Sequence, residues 1–325
     1  KINFKIDLHY EDIGYSALQK FNTTFPKHIL TITKNFDGII LGPVDHNNYP
    51  SENNGGLNPS GLLRKNLKLY SNIRPAKSYK GINSLVDDMD IIIVRENTEG
   101  FYSDRNMYSG KAEFEVEKGI GISIRKITKK ASDKIANRAF QIAKNLKKNR
   151  KINVHAIHKA NVLRLTDGIF LKACRKASKN YPKIKYHEML VDAATAHLVR
   201  DSSQFDVLIT TNMFGDILSD LASELSGSLG LSGSLNVGDN IPMAQAQHGA
   251  ATDIMNKGIA NPISLILSLA MLFEWLGYKN NIKKYSFASK IVKNVIDDVL
   301  KDKVFLTPDL GGYSTTIELT NEIKR

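Results

Sequence analysis

Short apolar runs alternate along the chain with longer segments whose apolar residues recur every three to four positions. The short runs predict strands and the longer segments predict amphipathic helices. The predicted strands are Gly38–Leu41, Ile91–Val94, Ile152–Ile157 and Val207–Thr210, and the predicted helices are Ala131–Leu146, Asp167–Lys179, Asp216–Leu225 and Pro262–Trp275. The last two strands are apolar enough to be buried on both faces. This alternation predicts an α/β protein.

Two segments rich in Gly, Ser and Asn, residues 45–60 and 226–240, are predicted to be loops, and the second suits a crossing between two lobes. No Gly-x-Gly-x-x-Gly pattern follows a predicted strand, so the fold is predicted to be non-Rossmann. The chain has 325 residues, enough for two lobes. Its one cysteine, Cys174, cannot form an internal disulfide, which fits a cytoplasmic location.

The net charge of +12 raises the possibility of a nucleic-acid partner. The excess is mostly scattered lysine without interleaved aromatic residues, so a solvated lysine-rich surface is the better interpretation. A basic field would also attract a polyanionic substrate. The most apolar run, residues 263–276, is too short for a membrane span, which needs roughly 20 residues. We therefore predict neither a nucleic-acid nor a membrane partner.

Three acidic residues suggest a metal site. Asp216 and Asp220 lie four positions apart in a predicted helix, so both project from one face. A divalent cation would relieve their repulsion, and Asp192 is a further acid in an apolar setting. Carboxylates without His or Cys favour a hard ion, Mg²⁺ or Mn²⁺. An acid favoured by the helix dipole, beside a solvated neighbour, explains the spacing equally well.

Several basic and phenolic residues could handle a carboxylate substrate. Arg64 and Arg74 occur in one basic segment, and Arg95 follows the apolar strand 91–94. Arginine forks bind carboxylates, although internal salt bridges, such as Arg95 with Glu96 or Glu99, are a simpler alternative. Lys159, just past the strand 152–157, could act as a base, and the Tyr102 phenol could donate a proton.

Residues 244–262 combine Gly, Asn, His and Asp before an apolar helix that begins near Pro262. A loop and helix N-terminus of this kind suits a nucleotide. Asp253 could accept hydrogen bonds from ribose hydroxyls and would repel a 2′-phosphate. An ordinary connecting loop has the same composition.

Together these segments resemble the β-decarboxylating dehydrogenases, which act on isocitrate, 3-isopropylmalate, homoisocitrate and tartrate or D-malate. The resemblance covers nearly the whole chain, from LGPV at 41–44 to TPDLGG at 307–312. The motifs, in the family's order, are LRKNLKLYSNIRP, VRENTEGFY, HKANVLRLTDGIF, TTNMFGDILSDLASEL, HGAATDI, GIANP and TPDLGG. It implies the two-lobed isopropylmalate-dehydrogenase-like fold, with residues 1–69 and 227–325 as the large nucleotide-binding lobe and 70–226 as the small lobe.

The resemblance also implies roles for individual residues. Substrate carboxylates would be held by Arg64, Arg74 and Arg95; Tyr102 would protonate the enol carbon, and Lys159 would assist deprotonation of the substrate hydroxyl. The metal ligands would be Asp192, Asp216 and Asp220. Lys159 and Asp192 would come from the neighbouring subunit, which implies a homodimer with shared active sites. The NAD-binding residues would be His248, Gly249, Asp253, Ile254 and Asn261, and Asp followed by Ile resembles the NAD-preferring members.

The chain departs from the family pattern at two places. The family's first strand and its GDGIGPE-like loop have no counterpart, so we expect the first strand to be missing from this chain. Gln245-Ala246 stand where the family usually has Glu-Pro, and Ala250 and Thr252 replace its usual Ser and Pro. The second departure therefore falls within and directly before the predicted cofactor loop.

The substrate is predicted to be a 3-substituted malate, a hydroxy di- or tricarboxylate. Asn58 and Ser60 resemble, in swapped order, the pair in isocitrate enzymes, whereas Leu57, Leu62 and Leu63 only partly match an isopropylmalate pocket. Isocitrate is favoured, with 3-isopropylmalate, homoisocitrate and tartrate or D-malate as alternatives. A non-catalytic regulatory subunit of an isocitrate dehydrogenase is an alternative of another class, but it would be expected to lose some of the catalytic residues.

Overall fold

The computed structural model describes residues 6–102, 107, 112–146, 148 and 150–325. The strands are β1 (Ile39–Leu41), β2 (Ser71–Lys77), β3 (Asp90–Glu96), β4 (Glu113–Glu117), β5 (Ile120–Ser123), β6 (Asn153–His158), β7 (Lys185–Leu190), β8 (Val207–Thr210), β9 (Leu235–Val237) and β10 (Met243–Gln245). The helices are α1 (Tyr15–Phe21), α2 (His28–Ile32), α3 (Pro59–Asn66), α4 (Lys129–Asn145), α5 (Arg164–Ser178), α6 (Val191–Arg200), α7 (Asn212–Leu225), α8 (Ile263–Lys279), α9 (Lys283–Asp302) and α10 (Thr316–Lys324).

The chain divides into two compact units. Unit 1 comprises Lys1–Leu67, Lys80–Ile82 and Leu229–Arg325, and unit 2 comprises Lys68–Tyr79 and Asn83–Ser228. The four predicted strands and four predicted helices are all present, which confirms the α/β class. Among the helices of the described residues, none combines the length and the apolarity that crossing a membrane requires.

Unit 2 is built on a sheet with the strand order β2-β3-β8-β6-β7. β2 and β3 are antiparallel, whereas β3, β8, β6 and β7 run parallel to their neighbours. Successive residues of β8 pack on opposite faces: Val207 and Ile209 with α4 and α5, and Leu208 with α6 and α7. This two-sided burial explains why β8 is apolar throughout. The carboxyl ends of β3, β6 and β8 therefore share one edge of the sheet.

The helix α7 begins four residues before its predicted start at Asp216. Gly215, which directly precedes the predicted start, lies inside the helix. A Cβ there would overlap Thr210 Oγ1 and lie 2.7 Å from Arg95 Cβ. Gly215 thus allows α7 to pack directly against the end of β3 and places Asp216 in the second turn.

In unit 1, β10 pairs with β1 in parallel and with β9 antiparallel. Two buried serines of α8 bind the main chain of this sheet and of the following loop. Ser268 Oγ accepts from the Ser234 N–H and donates to the Gln245 carbonyl, at 2.9 and 3.0 Å. Ser264 Oγ accepts from the Gln247 N–H at 3.2 Å. The predicted loop 226–240 thus contains a strand, β9, which its Ser and Gly content concealed.

Candidate active site

Arg95 lies near the carboxyl end of β3, with only 2% of its side chain exposed. Its Nε and Nη2 both donate to Asn212 Oδ1, at 2.9 and 2.6 Å, and its Nη1 donates to Asp216 Oδ1. The alternative partners considered from sequence, Glu96 and Glu99, accept hydrogen bonds from other groups. Arg95 is therefore held by the first turns of α7 rather than by its sequence neighbours.

Arg74 of β2 joins the two predicted metal-binding acids. Its Nη1 lies 3.2 Å from Asp216 Oδ1 and 3.1 Å from Asp220 Oδ1, and it donates to Ser219 Oγ at 2.7 Å. Burial, and then the neighbouring Arg95 charge, lower the pKa of Arg74 to about 10. The two arginines are buried, whereas the side chains of Asp216 and Asp220 are 34% and 53% exposed. The carboxylates can therefore be reached from solvent while the arginines neutralise them from behind.

Tyr102 lies on the loop after β3, and its hydroxyl donates to Asp216 Oδ2 at 3.2 Å. Two buried glutamates fix this loop. Glu96 accepts from the Thr98 and Glu99 N–H groups, both at 2.9 Å, and Glu99 accepts from the Thr128 N–H and hydroxyl, both at 2.9 Å. Burial and the nearby Glu96 raise the pKa of Glu99 to about 7. The structure thus brings Arg74, Arg95, Tyr102, Asp216 and Asp220 into one cluster.

Lys159 and Asp192 form a separate pair. Lys159 directly follows β6 and Asp192 lies in the first turn of α6, and their Nζ and Oδ1 atoms are 2.6 Å apart. The Asp192 side chain is 63% exposed. Its hydrogen bond from Lys159 lowers the pKa of Asp192. Within the described residues, no group of three His, Cys, Asp or Glu side chains could hold a metal, so the three aspartates do not form one site in a single chain.

The predicted substrate residues of unit 1 lie on α3. Asn58 is its N-cap, and its Oδ1 accepts from the Gly61 N–H at 3.0 Å. The Ser60 hydroxyl donates to Gln245 Oε1 at 2.9 Å, and Arg64 Nη2 lies 3.4 Å from the same oxygen. The Gln245 side-chain amide thus contacts both Ser60 and Arg64 through its one oxygen.

The predicted cofactor residues lie on the loop between β10 and α8. His248 Nδ1 lies 2.9 Å from the Gly249 carbonyl oxygen. Asp253 is exposed, and it shares a single helical turn, Thr252–Ile254, with Ile254. Asn261 is anchored on both sides, since its Oδ1 accepts from the Ile263 N–H and its Nδ2 donates to Asp309, each at 3.0 Å. Asp309 belongs to the TPDLGG motif, whose role the sequence interpretation had not assigned.

Sequence reasoning assigned no role to Asn212, which binds Arg95, to Gln245, which binds Ser60, or to the buried ion pair of Arg125 and Asp167. Asp167 did leave a signal. It lies on α5 three and four positions before the buried residues Phe170 and Leu171. A carboxylate on the apolar face of a helix must be paired when it is buried, so this pattern predicts a buried cationic partner.

Comparison with known proteins gives the class of this protein. Residues 1–323 match the family model described as isocitrate/isopropylmalate dehydrogenase, and the chain belongs to that family. The 3-isopropylmalate dehydrogenase of Saccharolobus solfataricus is 41% identical over 323 residues, which cover 99% of this chain and 90% of that protein. Catalytic subunit 5 of the mitochondrial isocitrate dehydrogenase [NAD] of Arabidopsis thaliana is 42% identical over 80% of this chain and 66% of its own length.

The fold agrees with this assignment. The crystal structure of isocitrate dehydrogenase from Methylococcus capsulatus superimposes with a TM-score of 0.83 at 36% identity, over 96% of this chain and 87% of that one. The predicted family and its α/β fold are thereby confirmed. Nothing in these comparisons tests the roles of individual residues, which stay predictions.

Proposed function

We propose that this protein catalyses the oxidative decarboxylation of a 3-substituted malate, with NAD as the oxidant and Mg²⁺ or Mn²⁺ as a required ion. The observation that carries the proposal is the cluster of Arg74, Arg95, Tyr102, Asp216 and Asp220 at the edge where β3 and β8 end. Two buried guanidinium groups suit substrate carboxylates, and two accessible carboxylates suit a hard divalent cation.

Each step of the reaction has a group to perform it. Arg64, Arg74 and Arg95 hold the substrate carboxylates, and Lys159 accepts the hydroxyl proton as C2 is oxidised. When bound, the divalent ion supplies Lewis-acid polarisation of the C2 oxygen, and the nicotinamide supplies the hydride acceptor. The C3 carboxyl group, now β to a ketone, leaves as CO₂, and Tyr102 returns a proton to C3.

We also propose that the active unit is a homodimer in which Lys159 and Asp192 serve the partner's site. Large apolar side chains next to these residues and to Asp216 are exposed, with Val162 at 67%, Leu165 at 78%, Val199 at 57% and Ile217 at 56%. The β4–β5 hairpin exposes further large apolar side chains, with Phe114 at 42%, Val116 at 53%, Ile120 at 49% and Ile122 at 42%. A second copy of the chain would cover such apolar surface and bring Asp192 to Asp216 and Asp220.

This arrangement can be tested by mixing two inactive chains. Tyr102→Phe disables the half-site that binds substrate, and Lys159→Ala disables the half-site given to the partner. Neither homodimer should turn over substrate. A 1:1 mixture of the two variant chains should recover about a quarter of the wild-type activity. About half of its dimers contain one chain of each kind, and each of these mixed dimers has one intact active site out of two. Absence of recovery in verified heterodimers would contradict the shared site.

The sequence favoured isocitrate as the substrate, partly because of Asn58. In the structure, however, the Asn58 side-chain oxygen caps α3. Relatives covering 99% of this chain carry the name 3-isopropylmalate dehydrogenase. Both facts favour 3-isopropylmalate over isocitrate, so we place 3-isopropylmalate first among the candidate 3-substituted malates.

A substrate panel decides this order. Isocitrate, 3-isopropylmalate, homoisocitrate, D-malate and tartrate are compared by the rate of NADH formation, with kcat/KM determined for each. The largest kcat/KM is expected for 3-isopropylmalate, and a larger value for isocitrate would restore the sequence preference. No turnover of any of them by the folded, metal-loaded protein would favour the regulatory-subunit alternative.

A further inference from the structure

Arg125 and Asp167 form a buried ion pair within unit 2. Arg125 Nη1 lies 2.7 Å from Asp167 Oδ1, and the two side chains are 7% and 0% exposed. Burying two charges costs desolvation free energy that their attraction repays only with good geometry, so such a pair contributes little stability by itself. Neither residue belongs to the substrate, metal or cofactor groups described above. The other contacts of the pair indicate what it does.

The second oxygen of Asp167 binds the main chain of Lys159. Asp167 Oδ2 accepts from the Lys159 N–H at 2.6 Å. Lys159 is the first residue beyond β6, where ladder hydrogen bonds no longer fix the chain. Its own carbonyl accepts from the Val162 and Leu163 N–H groups, at 3.0 and 2.8 Å. Asp167 therefore fixes the point from which the Lys159 side chain projects.

Arg125 in turn fixes the Asp167 carboxylate. Its Nη1 also donates to Thr166 Oγ1 at 2.6 Å, and its Nη2 donates to Thr211 Oγ1 at 3.2 Å. Its guanidinium carbon lies 6.0 Å from the ring centre of Phe101 and 5.6 Å from that of Phe214. The guanidinium is thus held between the first turn of α5, the loop after β3 and the N-terminal residues of α7.

We propose that Asp167, held in place by Arg125, is a positioning residue for Lys159. The carboxylate sets the direction in which the lysine leaves the end of β6, while Arg125 holds that carboxylate in place. This inference rests on the proposed function, because it requires Lys159 to act in the partner's active site. It goes further by assigning a role to two residues that contact neither substrate nor cofactor.

The subunit-mixing assay gives this role a distinctive signature. Asp167→Asn keeps the size of the side chain and removes its charge, and a displaced lysine is expected to lower kcat by about a hundredfold. An Asp167→Asn chain mixed with a Tyr102→Phe chain should recover activity, because the intact lysine of the second chain serves the intact half-site of the first. The same chain mixed with Lys159→Ala should not recover, because no heterodimer has both groups intact.

Three further measurements separate this role from a purely structural one. Thr166→Val removes a contact of Arg125 without touching the Lys159 link, and its homodimer should stay active. Asp167→Glu keeps the charge but moves the accepting oxygen, and it replaces Asp167→Asn if that variant does not fold. The Tyr102→Phe with Lys159→Ala mixture tests the shared site itself, so its failure would overturn the shared active site and this inference with it, but not the proposed reaction.

If that control mixture recovers activity, the Asp167 variant decides the inference. Recovery with Tyr102→Phe alone supports positioning of Lys159. Recovery with both partners, recovery with neither, or an Asp167 variant as active as wild type would overturn the inference. A Thr166→Val chain that reproduced the Asp167→Asn pattern would also overturn it, because general packing would then explain the effect.

Discussion

Asp216→Asn should destabilise the metal-free protein, although removing one of two neighbouring acids commonly relieves repulsion. We expect a loss of stability because Asp216 pairs with two buried arginines. Asp216 Oδ1 contacts both Arg74 and Arg95, whose side chains are 7% and 2% exposed. Breaking a fully buried ion pair costs about 3–5 kcal/mol, and because Asp216 is itself 34% exposed we expect about 2 kcal/mol.

Two other aspartates provide matched controls. Asp220 is 53% exposed and pairs with Arg74, so Asp220→Asn should cost about 1 kcal/mol. Asp192 is 63% exposed and pairs with Lys159 at the surface, so Asp192→Asn should leave stability unchanged. The order Asp216, Asp220, Asp192 is therefore the prediction.

Urea unfolding in EDTA, followed by far-ultraviolet circular dichroism, gives the change in unfolding free energy of each of the three variants from the shift of its urea midpoint. A variant at Asp216 that is as stable as wild type, or more stable, would refute the reasoning. It would mean that repulsion between Asp216 and Asp220 outweighs their attraction to the buried arginines. Wild-type protein titrated with Mg²⁺ provides the reference for the metal-bound form.

Three further predictions concern single residues. Gly215→Ala would place a methyl group 2.7 Å from Arg95 Cβ. The KM for the hydroxy acid should therefore rise at least tenfold, which corresponds to about 1.4 kcal/mol of binding free energy. An unchanged KM would contradict the close packing of Gly215 against Arg95. The raised pKa of Glu99, about 7 against an ordinary 4.5, means that folding stability is lost as the pH rises through this range. Glu99→Gln should remove that loss of folding stability, which amounts to up to about 3 kcal/mol. The urea midpoint of the variant should therefore change less between pH 5 and pH 7.5 than that of wild type. Equal changes in the two proteins would contradict the raised pKa of Glu99. Asp253→Lys should shift the ratio of kcat/KM values from NAD⁺ towards NADP⁺, and an unchanged ratio would argue against a ribose contact at this exposed acid.

The strands that were missed from sequence show what local patterns cannot reveal. β2 reads as a polar segment because it contains Arg74, Pro75 and Lys77. It is nonetheless buried along most of its length, since it pairs with β3 and since Asp216 and Asp220, far along the chain, neutralise Arg74. Burial that depends on a partner more than a hundred residues away leaves no periodic signal in the strand itself.

In the candidate site, too, local sequence patterns predicted some residues and could not reveal others. The spacing of Asp216 and Asp220 fixed their common face, and the end of an apolar strand located Arg95, because both features are local. The partners that orient these groups could not be found locally. Asn212 binds Arg95 across 117 positions of sequence, and Arg125 pairs with Asp167, which lies 42 positions further along the chain.

Metal-dependent oxidative decarboxylation is tested most directly by measuring NADH and CO₂ together. The purified protein is supplied with NAD⁺, Mn²⁺ and the best substrate of the panel, and both products are followed with and without EDTA. We predict equal amounts of NADH and CO₂, with both falling to background in EDTA and returning when Mn²⁺ is restored. NADH without CO₂, or undiminished turnover in EDTA, would contradict the proposed reaction.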